Sequence, residues 1–413
     1  MAAVTYKSRL LEARIAELFH YFPVVTVLGA RQVGKSTLVE NLFRDQMAGV
    51  VFDPVLDIEN ARQDPDFFLQ NHPAPLFLDE IQYAPELLGA IKRKVDRLKL
   101  PGQYILSGSQ NLAVLRNISE SLAGRVAVVN LLPLSRRELA QEPEGDFLRR
   151  WLQGEVADST SHPAPDALPQ LYPTVWRGGY PGLMALPDHL LNDYWQSYLQ
   201  TYIERDVRAV ASIGSLQSFG RFVRLVAAHS AQEVNHAHLG RELGLDRKTA
   251  QAWLETMQAT FLWFSLPAFS RNPVKRIAGK AKGYFADTGF VCHLQKIGSP
   301  GAIGGHPLQG ALFETYVVME IIKTVQAWPM PPNLYHFRSY GGAEVDLVLE
   351  IDGVLYPVEI KAKSNPNRND GRGIGAFREC FPQEKIGAGL IVCAVEKPLR
   401  LAENLLAVPW WWL

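Results

Sequence analysis

Residues 29–37 are Gly29-Ala30-Arg31-Gln32-Val33-Gly34-Lys35-Ser36-Thr37, and they directly follow the apolar run Val24-Val25-Thr26-Val27-Leu28. Glycines at this G-x-x-x-x-G-K-S-T spacing let successive backbone N–H groups turn toward phosphate oxygens. A helix that starts at Lys35 adds the positive end of its dipole at the same point. The pattern therefore predicts a strand, a phosphate-binding loop and a helix, with Lys35 at the β- and γ-phosphates and the Ser36 hydroxyl on Mg²⁺.

A second apolar run, Pro75-Leu76-Phe77-Leu78, ends in two acids, Asp79 and Glu80. Because parallel strands present their carboxyl ends at one edge of a sheet, we expect these acids beside the phosphate loop. Asp79 is predicted to hold Mg²⁺ through water and Glu80 to polarise the attacking water, which favours hydrolysis over transfer to a substrate. The structural alternative is that both acids only cap the helix expected at 85–98.

Two further catalytic candidates follow on the chain. Ser109, or Ser107, ends the run Tyr104-Ile105-Leu106 and is predicted to contact the γ-phosphate or the water; the alternative is an N-cap for a helix at 111–116. Arg125 precedes another apolar run and is a candidate arginine finger for the nucleotide of a neighbouring subunit. Its alternative is a surface arginine. With Lys35 and Glu80, these residues complete the predicted catalytic set.

The motifs at 29–37, 76–82, 106–110 and 121–125 resemble those of the AAA-superfamily ATPases of bacteria and archaea that carry a C-terminal domain of unknown function. The resemblance continues to later landmarks at 284–289, 312–314 and 344–346. It implies a five-stranded P-loop sheet with strand order 5-1-4-3-2, and it implies ATP as the nucleotide. It supplies no cellular role.

The composition excludes several classes of protein. The chain has 413 residues, 47% hydrophobic and 20% charged, which is too long for one ordinary core and too apolar for extended disorder. The 42 basic residues balance the 42 acidic ones, so any affinity for nucleic acid must come from a local patch. Cys292, Cys380 and Cys393 have no metal or redox spacing, and no window reaches the length of a membrane span. We therefore expect a cytoplasmic protein that makes no membrane contact.

Patterning along the chain predicts an α/β protein of four regions. Residues 1–140 form a P-loop AAA-type domain with a parallel sheet, because short β-branched runs alternate with helical patterns. Residues 141–190 are rich in proline and predict a linker or lid. Residues 191–295 predict a helical and winged-helix domain, and residues 300–413 an α+β domain of restriction-endonuclease-like fold.

The region around 237–256 predicts a helix-turn-helix, with a turn at Gly244 and an N-cap at Asp246. Residues 261–266 and 283–286 are the expected wing strands. Between Arg221 and Gly283 there are ten basic and four acidic residues, a concentration typical of a contact with a phosphate backbone. The predicted DNA contacts are Arg247, Lys248, Arg271, Lys275 and Arg276. The alternative is a lid or a protein contact, with the basic loop against an acidic neighbour.

Near the C terminus, Asp352-Gly353 separates two alternating runs and predicts a hairpin with a two-residue type I′ turn. That turn places Asp346 opposite Glu359 and Glu344 opposite Lys361. Because two facing carboxylates repel each other, a divalent cation is predicted between Asp346 and Glu359, with Lys361 positioning a water. Glu314, on the helix expected at 308–323, is predicted to complete the ligand set.

This arrangement is similar to the Glu…Asp…Glu-x-Lys signature of the PD-(D/E)xK nuclease fold, with the departure that Val345 rather than proline precedes Asp346. The alternatives are a domain of this fold kept as an inactive DNA clamp or protein-binding module, and a plain solvated hairpin. The tail Pro409-Trp410-Trp411-Trp412-Leu413 is too apolar for water, and we expect it to pack on the domain.

Together these features predict Mg²⁺-dependent ATP hydrolysis coupled to DNA binding, with metal-dependent DNA cleavage as a further step. The alternative is a nucleotide-dependent switch that binds a protein partner and has an inactive nuclease-like domain. A P-loop kinase is a third class, against which Glu80 argues. A homo-oligomer stays open, since Arg125 would act between subunits.

Overall fold

The structure, a computed structural model, describes residues 5–52, 59–109, 121–142, 146–155, 167–207, 215–272, 276, 279–339 and 341–413. Predicted DNA contact Lys275 and the helix expected at 111–116 lie outside the described residues. In the described part of the chain, no helix is long and apolar enough to cross a membrane.

A five-stranded, all-parallel sheet forms the N-terminal region, in the order β2-β3-β4-β1-β5. The predicted strand order is confirmed. Its strands are β1 (Val24–Leu28), β2 (Ala48–Val51), β3 (Leu76–Asp79), β4 (Tyr104–Gly108) and β5 (Val126–Asn130). Its helices are α1 (Glu12–Tyr21), α2 (Lys35–Phe43), α3 (Glu59–Gln63), α4 (Pro65–Asn71) and α5 (Leu87–Leu98), with a 3₁₀ turn at Ile81–Tyr83. β1, β3 and β4 are buried throughout, because helices cover the sheet.

The middle of the chain is helical and carries a small antiparallel sheet. Its helices are α6 (Arg136–Ala140), α7 (Phe147–Leu152), α8 (Ala167–Arg177), α9 (Leu191–Thr201), α10 (Leu216–Ala228), α11 (His236–Glu242), α12 (Arg247–Ala259) and α13 (Thr288–Leu294). Short turns of helix lie at Pro181–Leu183, Asp188–Leu190 and Tyr202–Val207. Strands β6 (Gln232–Glu233), β7 (Trp263–Leu266) and β8 (Lys282–Phe285) pair in the order β6-β8-β7. The helix, turn and second helix predicted around Gly244 are present as α11 and α12.

Residues 141–190, the predicted linker or lid, contain two helices in their described parts. These are α7 and α8, whose side chains Trp151, Leu171 and Val175 are buried in the core. Pro169 lies in the first turn of α8, where a missing N–H costs nothing, and Pro173 lies inside the same helix. The apolar face of the helix outweighs the proline signal, so this segment packs with the core.

The C-terminal region has a mixed seven-stranded sheet. Its strands are β9 (Asn333–Arg338), β10 (Glu344–Ile351), β11 (Val354–Ile360), β12 (Lys385–Ile386), β13 (Gly389–Cys393), β14 (Leu399–Ala402) and β15 (Leu405–Pro409), in the order β14-β15-β13-β11-β10-β9 with β12 beside β11. Its helices are α14 (Gln309–Gln326) and α15 (Arg372–Cys380), with short 3₁₀ turns at Pro300–Ile303, Arg368–Gly371 and Trp410–Trp412.

The predicted β10–β11 hairpin is confirmed at its turn. Asp352 and Gly353 have φ angles of 49° and 74°, as a type I′ turn requires, and Val348 pairs with Pro357 in the expected register. The regular pairing of β10 with β11 ends at Leu347–Val358, and β10 carries an irregularity against β9 between Val345 and Val348. The carboxylate positions therefore lie where the regular pairing has stopped.

The tryptophan tail packs on the protein, as expected. Trp410, Trp411 and Trp412 are all buried, and the ring of Trp412 lies 5.1 Å from that of Phe147. The tail thereby joins the C-terminal region to α7 of the middle region, so the apolar C terminus is part of the core.

Candidate functional site

The phosphate loop has the backbone that its glycines predict. Gly34 caps α2 with a φ of 93°, a left-handed conformation that suits glycine. A Cβ on Gly29 would stand 2.2 Å from the carbonyl oxygen of Leu131, so a side chain at that position displaces the loop from β5. Both glycines are needed for the shape of the loop.

Lys35 lies over this loop with its side chain buried. Its Nζ donates to the carbonyl oxygens of Gly29 and Ala30, each at 3.0 Å. Both acceptors belong to the loop itself, so these bonds hold the ammonium over the backbone that is predicted to bind phosphate. The predicted position of Lys35 at the phosphates is compatible with this geometry.

Ser36 and Asp79 come together at the carboxyl ends of β1 and β3. The Ser36 hydroxyl donates to Asp79 Oδ2 at 2.6 Å. A hydroxyl and a carboxylate are oxygen ligands of the kind that Mg²⁺ takes beside nucleotide phosphates. The residues present therefore fit the implied Mg²⁺, with Ser36 and Asp79 as the side chains that would hold it.

Glu80 is fixed beside Asp79 in a left-handed conformation, with a φ of 56°. Its N–H donates to Asp79 Oδ1 at 3.1 Å and contacts Ser107 Oγ at 3.3 Å. The Ser107 hydroxyl also donates to Asp79, and the Gln82 amide donates to both Glu80 Oε2 and Ser109 Oγ. Gln82 thus orients the candidate catalytic acid, a role that sequence reasoning missed because the residue follows the motif without a pattern of its own.

The cleft above the loop has a volume of about 1080 Å³ and is lined by residues from several segments that are distant in sequence. Arg9, from the N-terminal segment, donates to the carbonyl oxygen of Val33 at 2.9 Å and pairs with Glu138 at 3.1 Å. On the other side, the Tyr194 hydroxyl of α9 donates to Gln32 Oε1 at 2.7 Å. Neither contact was predicted, since the partners are far apart in sequence.

Arg125 lies away from this cleft within its own chain. It precedes β5 at the amino end of the sheet and forms an ion pair with Asp96 of α5, which lowers the pKa of Asp96. The phosphate loop follows the carboxyl end of β1, at the opposite edge. A role for Arg125 therefore requires a neighbouring subunit and stays a prediction.

The predicted DNA contacts fall into two groups. Arg247 and Lys248 are exposed at the start of α12, where Asp246 accepts the N–H groups of Lys248 and Thr249. Arg271 and Arg276 instead face the C-terminal region and pair with Glu384 at 2.7 Å and Glu350 at 3.4 Å. For these two arginines, the structure places an acidic neighbour where DNA was predicted.

A second ionic site lies at the base of the β10–β11 hairpin. Here Glu314 of α14, Asp346 of β10 and Glu359 of β11 come together, as predicted. Lys361 Nζ donates to Glu359 Oε2 at 2.7 Å and lies 3.6 Å from Asp346 Oδ2. Asp346 Oδ2 also accepts the N–H of Ile360 at 2.9 Å.

Two expectations for this site need correction. Glu344 does not face Lys361, because Lys361 lies beyond the end of β11 while Glu344 pairs with Arg338 of β9. The carboxylates also have a partner that was not predicted. Lys282 of β8 places its Nζ 2.6 Å from Glu314, 2.6 Å from Glu344 and 3.0 Å from Asp346. The sequence did contain a signal. Lys282 and the buried Tyr284 are two residues apart in a strand, so their side chains lie on the same face of it.

The charges in this cluster shift several pKa values. Burial, with the nearby Asp346 charge, raises the pKa of Glu314 to about 7 and that of Glu359 to about 8. Burial acts to raise the pKa of Asp346 too, but the positive charges of Lys282 and Lys361 hold it below its usual value. The cluster is therefore built around an ionised Asp346 and the Lys282 ammonium.

The predicted metal set does not fit a cation in this arrangement. Among the residues that the structure describes, no three His, Cys, Asp or Glu side chains are arranged to hold a metal ion. The oxygens of Glu314 and Asp346 that would serve as ligands accept hydrogen bonds from Lys282 instead. The lysine stands in the position that the sequence assigns to the metal.

Three family models match the chain in succession. An AAA domain matches residues 21–140, a domain of unknown function (DUF8612) matches 168–301, and a domain of unknown function (DUF4143) matches 309–413. The AAA match contains the phosphate loop, Asp79 and Glu80. The N-terminal region is a P-loop, ATPase-like nucleotide-binding domain.

Similar proteins extend over most of the chain. Uncharacterised proteins of Mycobacterium tuberculosis and Mycobacterium bovis are each 27% identical over 399 residues, which is 96% of this chain and 82% of theirs. A Walker-type ATPase of Pyrococcus abyssi superposes with a TM-score of 0.44 at 16% identity, covering 69% of this chain and 94% of that one. The Holliday junction branch migration motor RuvB of Thermotoga maritima gives a TM-score of 0.29 at 15% identity, over 66% of this chain and 88% of that one.

Proposed function

We propose that the protein is a Mg²⁺-dependent ATPase whose hydrolysis of ATP is coupled to DNA binding by the middle region. The observation that carries the ATPase is the convergence of Lys35, the Ser36–Asp79 pair and Glu80 at one edge of the parallel sheet. An anion-binding lysine, a pair of magnesium-type oxygen ligands and an acid fixed beside them are the parts that phosphoryl transfer to water needs.

Each residue has a separate task in this reaction. The loop N–H groups and the Lys35 ammonium bind the β- and γ-phosphates and offset the charge that develops there. Ser36 and Asp79 would hold Mg²⁺, which supplies neutralisation of the phosphate oxygens when it is bound. Glu80, oriented by Gln82, accepts the proton of the attacking water as the water oxygen bonds to the γ-phosphorus and the bond to the β–γ bridging oxygen breaks, so that ADP leaves. Water as acceptor, rather than a second substrate, is favoured because Glu80 immediately follows Asp79.

The coupling to DNA rests on α11, α12 and the β6-β8-β7 sheet, which we assign as a winged helix. Arg247 and Lys248 are exposed at the N-terminus of α12. Arg247 lines a groove of about 460 Å³ together with Lys280, which lies near the start of β8. Exposed basic residues at the start of a second helix are typical of phosphate and base contacts.

The experiment is ATP hydrolysis by the wild type and by Arg247→Ala/Lys248→Ala, at low salt, with and without a mixture of linear and branched DNA. We expect DNA to stimulate the wild type and to leave the double variant at its basal rate. Arg271→Ala is the matched control, because its side chain pairs with Glu384 rather than facing the groove. Equal stimulation of all three proteins would contradict the assignment of the groove, and no hydrolysis by the wild type would contradict the ATPase.

A second function is favoured by one specific observation. Arg271 and Arg276, half of the described basic residues predicted for DNA, bind acids of the C-terminal region. This arrangement favours a switch in which nucleotide state changes the contact between the two regions and hence a surface for a protein partner. Hydrolysis that is indifferent to DNA, together with nucleotide-dependent capture of a purified partner, would support the switch.

A further inference from the structure

Lys282 belongs to the middle region, but its ammonium lies inside the C-terminal region. The side chain leaves β8 and its Nζ donates to Glu344 Oε1 at 2.6 Å and Asp346 Oδ1 at 3.0 Å, and it lies 2.6 Å from Glu314 Oε1. An ammonium has three protons to donate, and three carboxylates surround the ammonium of Lys282. With an exposed fraction of 2%, Lys282 has no room for a further ligand.

The acceptors are held for this contact by other bonds. The Tyr284 hydroxyl, two residues along β8, donates to the same Glu314 oxygen at 2.7 Å. On the far side of the cluster, Asp346 Oδ2 accepts the N–H of Ile360. Strand β8 and the C-terminal sheet thus both orient the carboxylates toward Lys282.

The position of Lys282 is set by docking of the whole small sheet on the C-terminal region. The backbone of 267–269 exchanges hydrogen bonds with His336 of β9, from Phe269 N to His336 O at 2.7 Å and from His336 N to Pro267 O at 3.0 Å. Arg276 lies over the rings of Phe269 and Tyr335, at 4.8 Å and 5.1 Å from their centroids. Lys282 therefore enters the cluster as part of a domain contact.

We propose that Lys282 takes the place of a divalent cation among Glu314, Glu344 and Asp346, and that it closes this cluster to metal ions while the small sheet is docked. The cluster is separate from the nucleotide cleft, because none of Lys282, Glu314, Glu344 and Asp346 lines that cleft.

The physical reason is competition for the same oxygens. A magnesium ion sits about 2.0–2.1 Å from carboxylate oxygens and needs them free of other cations. The ammonium lies within hydrogen-bond distance of those oxygens, so a metal ion there would meet both a strong repulsion and occupied lone pairs. While Lys282 is in this position, a metal ion is therefore excluded from these carboxylates.

The experiment uses the full chain, freed of metal with a chelator and of nucleotide by desalting, and titrated with Mn²⁺ while free Mn²⁺ is followed by electron paramagnetic resonance. We expect no Mn²⁺ uptake at this cluster in the wild type and about one ion per chain in Lys282→Met. The uptake should vanish in Lys282→Met/Asp346→Asn, which separates this cluster from any site at Asp79. Lys385→Met removes the same charge from an exposed position of β12 and should behave as the wild type.

Every outcome decides the inference. Mn²⁺ binding by the wild type, abolished by Asp346→Asn alone, would overturn it, and so would a folded Lys282→Met that takes up no Mn²⁺. If Lys282→Met fails to fold without metal, Lys282→Gln keeps two N–H donors and is titrated in its place. A rise in its melting temperature with Mn²⁺, absent in the wild type, is then the expected result, and no rise overturns the proposal.

Discussion

Two buried lysines define the two ionic sites of this protein, and they differ in what they bind. Lys35 donates to two backbone carbonyl oxygens, whereas Lys282 meets three carboxylates. Their exposed fractions are 5% and 2%, so burial does not distinguish them. What distinguishes them is their surroundings, since two hydrogen bonds hold Lys35 over the phosphate loop, whereas Lys282 lies among acids of another region.

The difference shows how to separate a site that is ready for a ligand from one that is closed. Lys35 is positioned by carbonyl oxygens of the same loop that an anion would enter. Carboxylates in a buried cluster bind a lysine far more strongly, because removing the partner leaves uncompensated charge. A set of acidic residues that matches a metal motif is therefore open only if no cation of the chain already occupies it.

The largest expected effect is at Lys35. Lys35→Ala removes the charge that binds and stabilises the β- and γ-phosphates, and we expect kcat/KM for ATP to fall by roughly 10³-fold. Steady-state hydrolysis measures this, with a circular dichroism melt to show that the fold is kept. A variant that retains more than a tenth of wild-type kcat/KM would contradict the role of Lys35 and remove one side of the comparison.

At Lys282 the expected effect is on stability rather than on ATP turnover. Lys282→Met leaves Glu314, Glu344 and Asp346 without their cation. We therefore expect the free energy of unfolding of the C-terminal region to fall by about 3–5 kcal/mol. The Lys361 side chain is 35% exposed, so we expect Lys361→Met to lower the free energy of unfolding by only about 1 kcal/mol. Urea unfolding followed by tryptophan fluorescence compares the two variants. Equal losses in the free energy of unfolding would mean that the two lysines stabilise the cluster to the same extent, which would contradict this comparison.

Glu80→Gln tests the hydrolytic half of the nucleotide site. The amide keeps the size of the side chain but cannot accept the proton of water, so we expect kcat to fall roughly 10²-fold with KM little changed. Rapid-quench kinetics and nucleotide binding by fluorescence measure the two quantities separately. Should KM rise in step with the fall in kcat, Glu80 would be a binding residue instead.

Per pH unit, the smallest effect expected is the pH dependence of stability that Glu359 introduces. Burial and the Asp346 charge raise the pKa of Glu359 from 4.5 to about 8 in the folded protein. Between these two values the folded state holds a proton that the unfolded state has lost, so stability falls as the pH rises, by at most about 1.4 kcal/mol per pH unit. Melting temperatures from pH 5 to 8 should decline less steeply in Glu359→Gln. If the melting temperature of Glu359→Gln fell with pH as steeply as that of the wild type, the pH dependence would come from other groups, and Glu314 would be the first to test.

Local patterns were enough to predict much of the fold. The phosphate loop depends on residues within nine positions of one another, and glycine spacing fixes its backbone wherever it occurs. The register of the β10–β11 hairpin follows from Asp352-Gly353, because a two-residue turn pairs the strands without help from the rest of the chain. Asp79 and Glu80 were found for a similar reason, since the end of a buried strand marks one edge of a parallel sheet.

Other features could not be predicted, because they join segments that are distant in sequence. Arg9 reaches the phosphate loop from the N-terminal segment, and Tyr194 reaches it from α9. The basic loop after β7 was predicted to contact DNA, but Arg271 and Arg276 form ion pairs with acids of the C-terminal region. A local surplus of charge shows that a partner is needed and does not show which one the fold provides.

The sequence by itself determined the nucleotide-binding loop, the strand-end acids and the hairpin, since the forces that shape them act between near neighbours on the chain. Only the tertiary structure decided what the C-terminal carboxylates bind. Glu314, Asp346 and Glu359 were brought together as predicted, but Lys282 arrives from a different region through the docking of β8. The packing of the regions determines which opposite charge lies in a charged site. That packing depends on the whole chain.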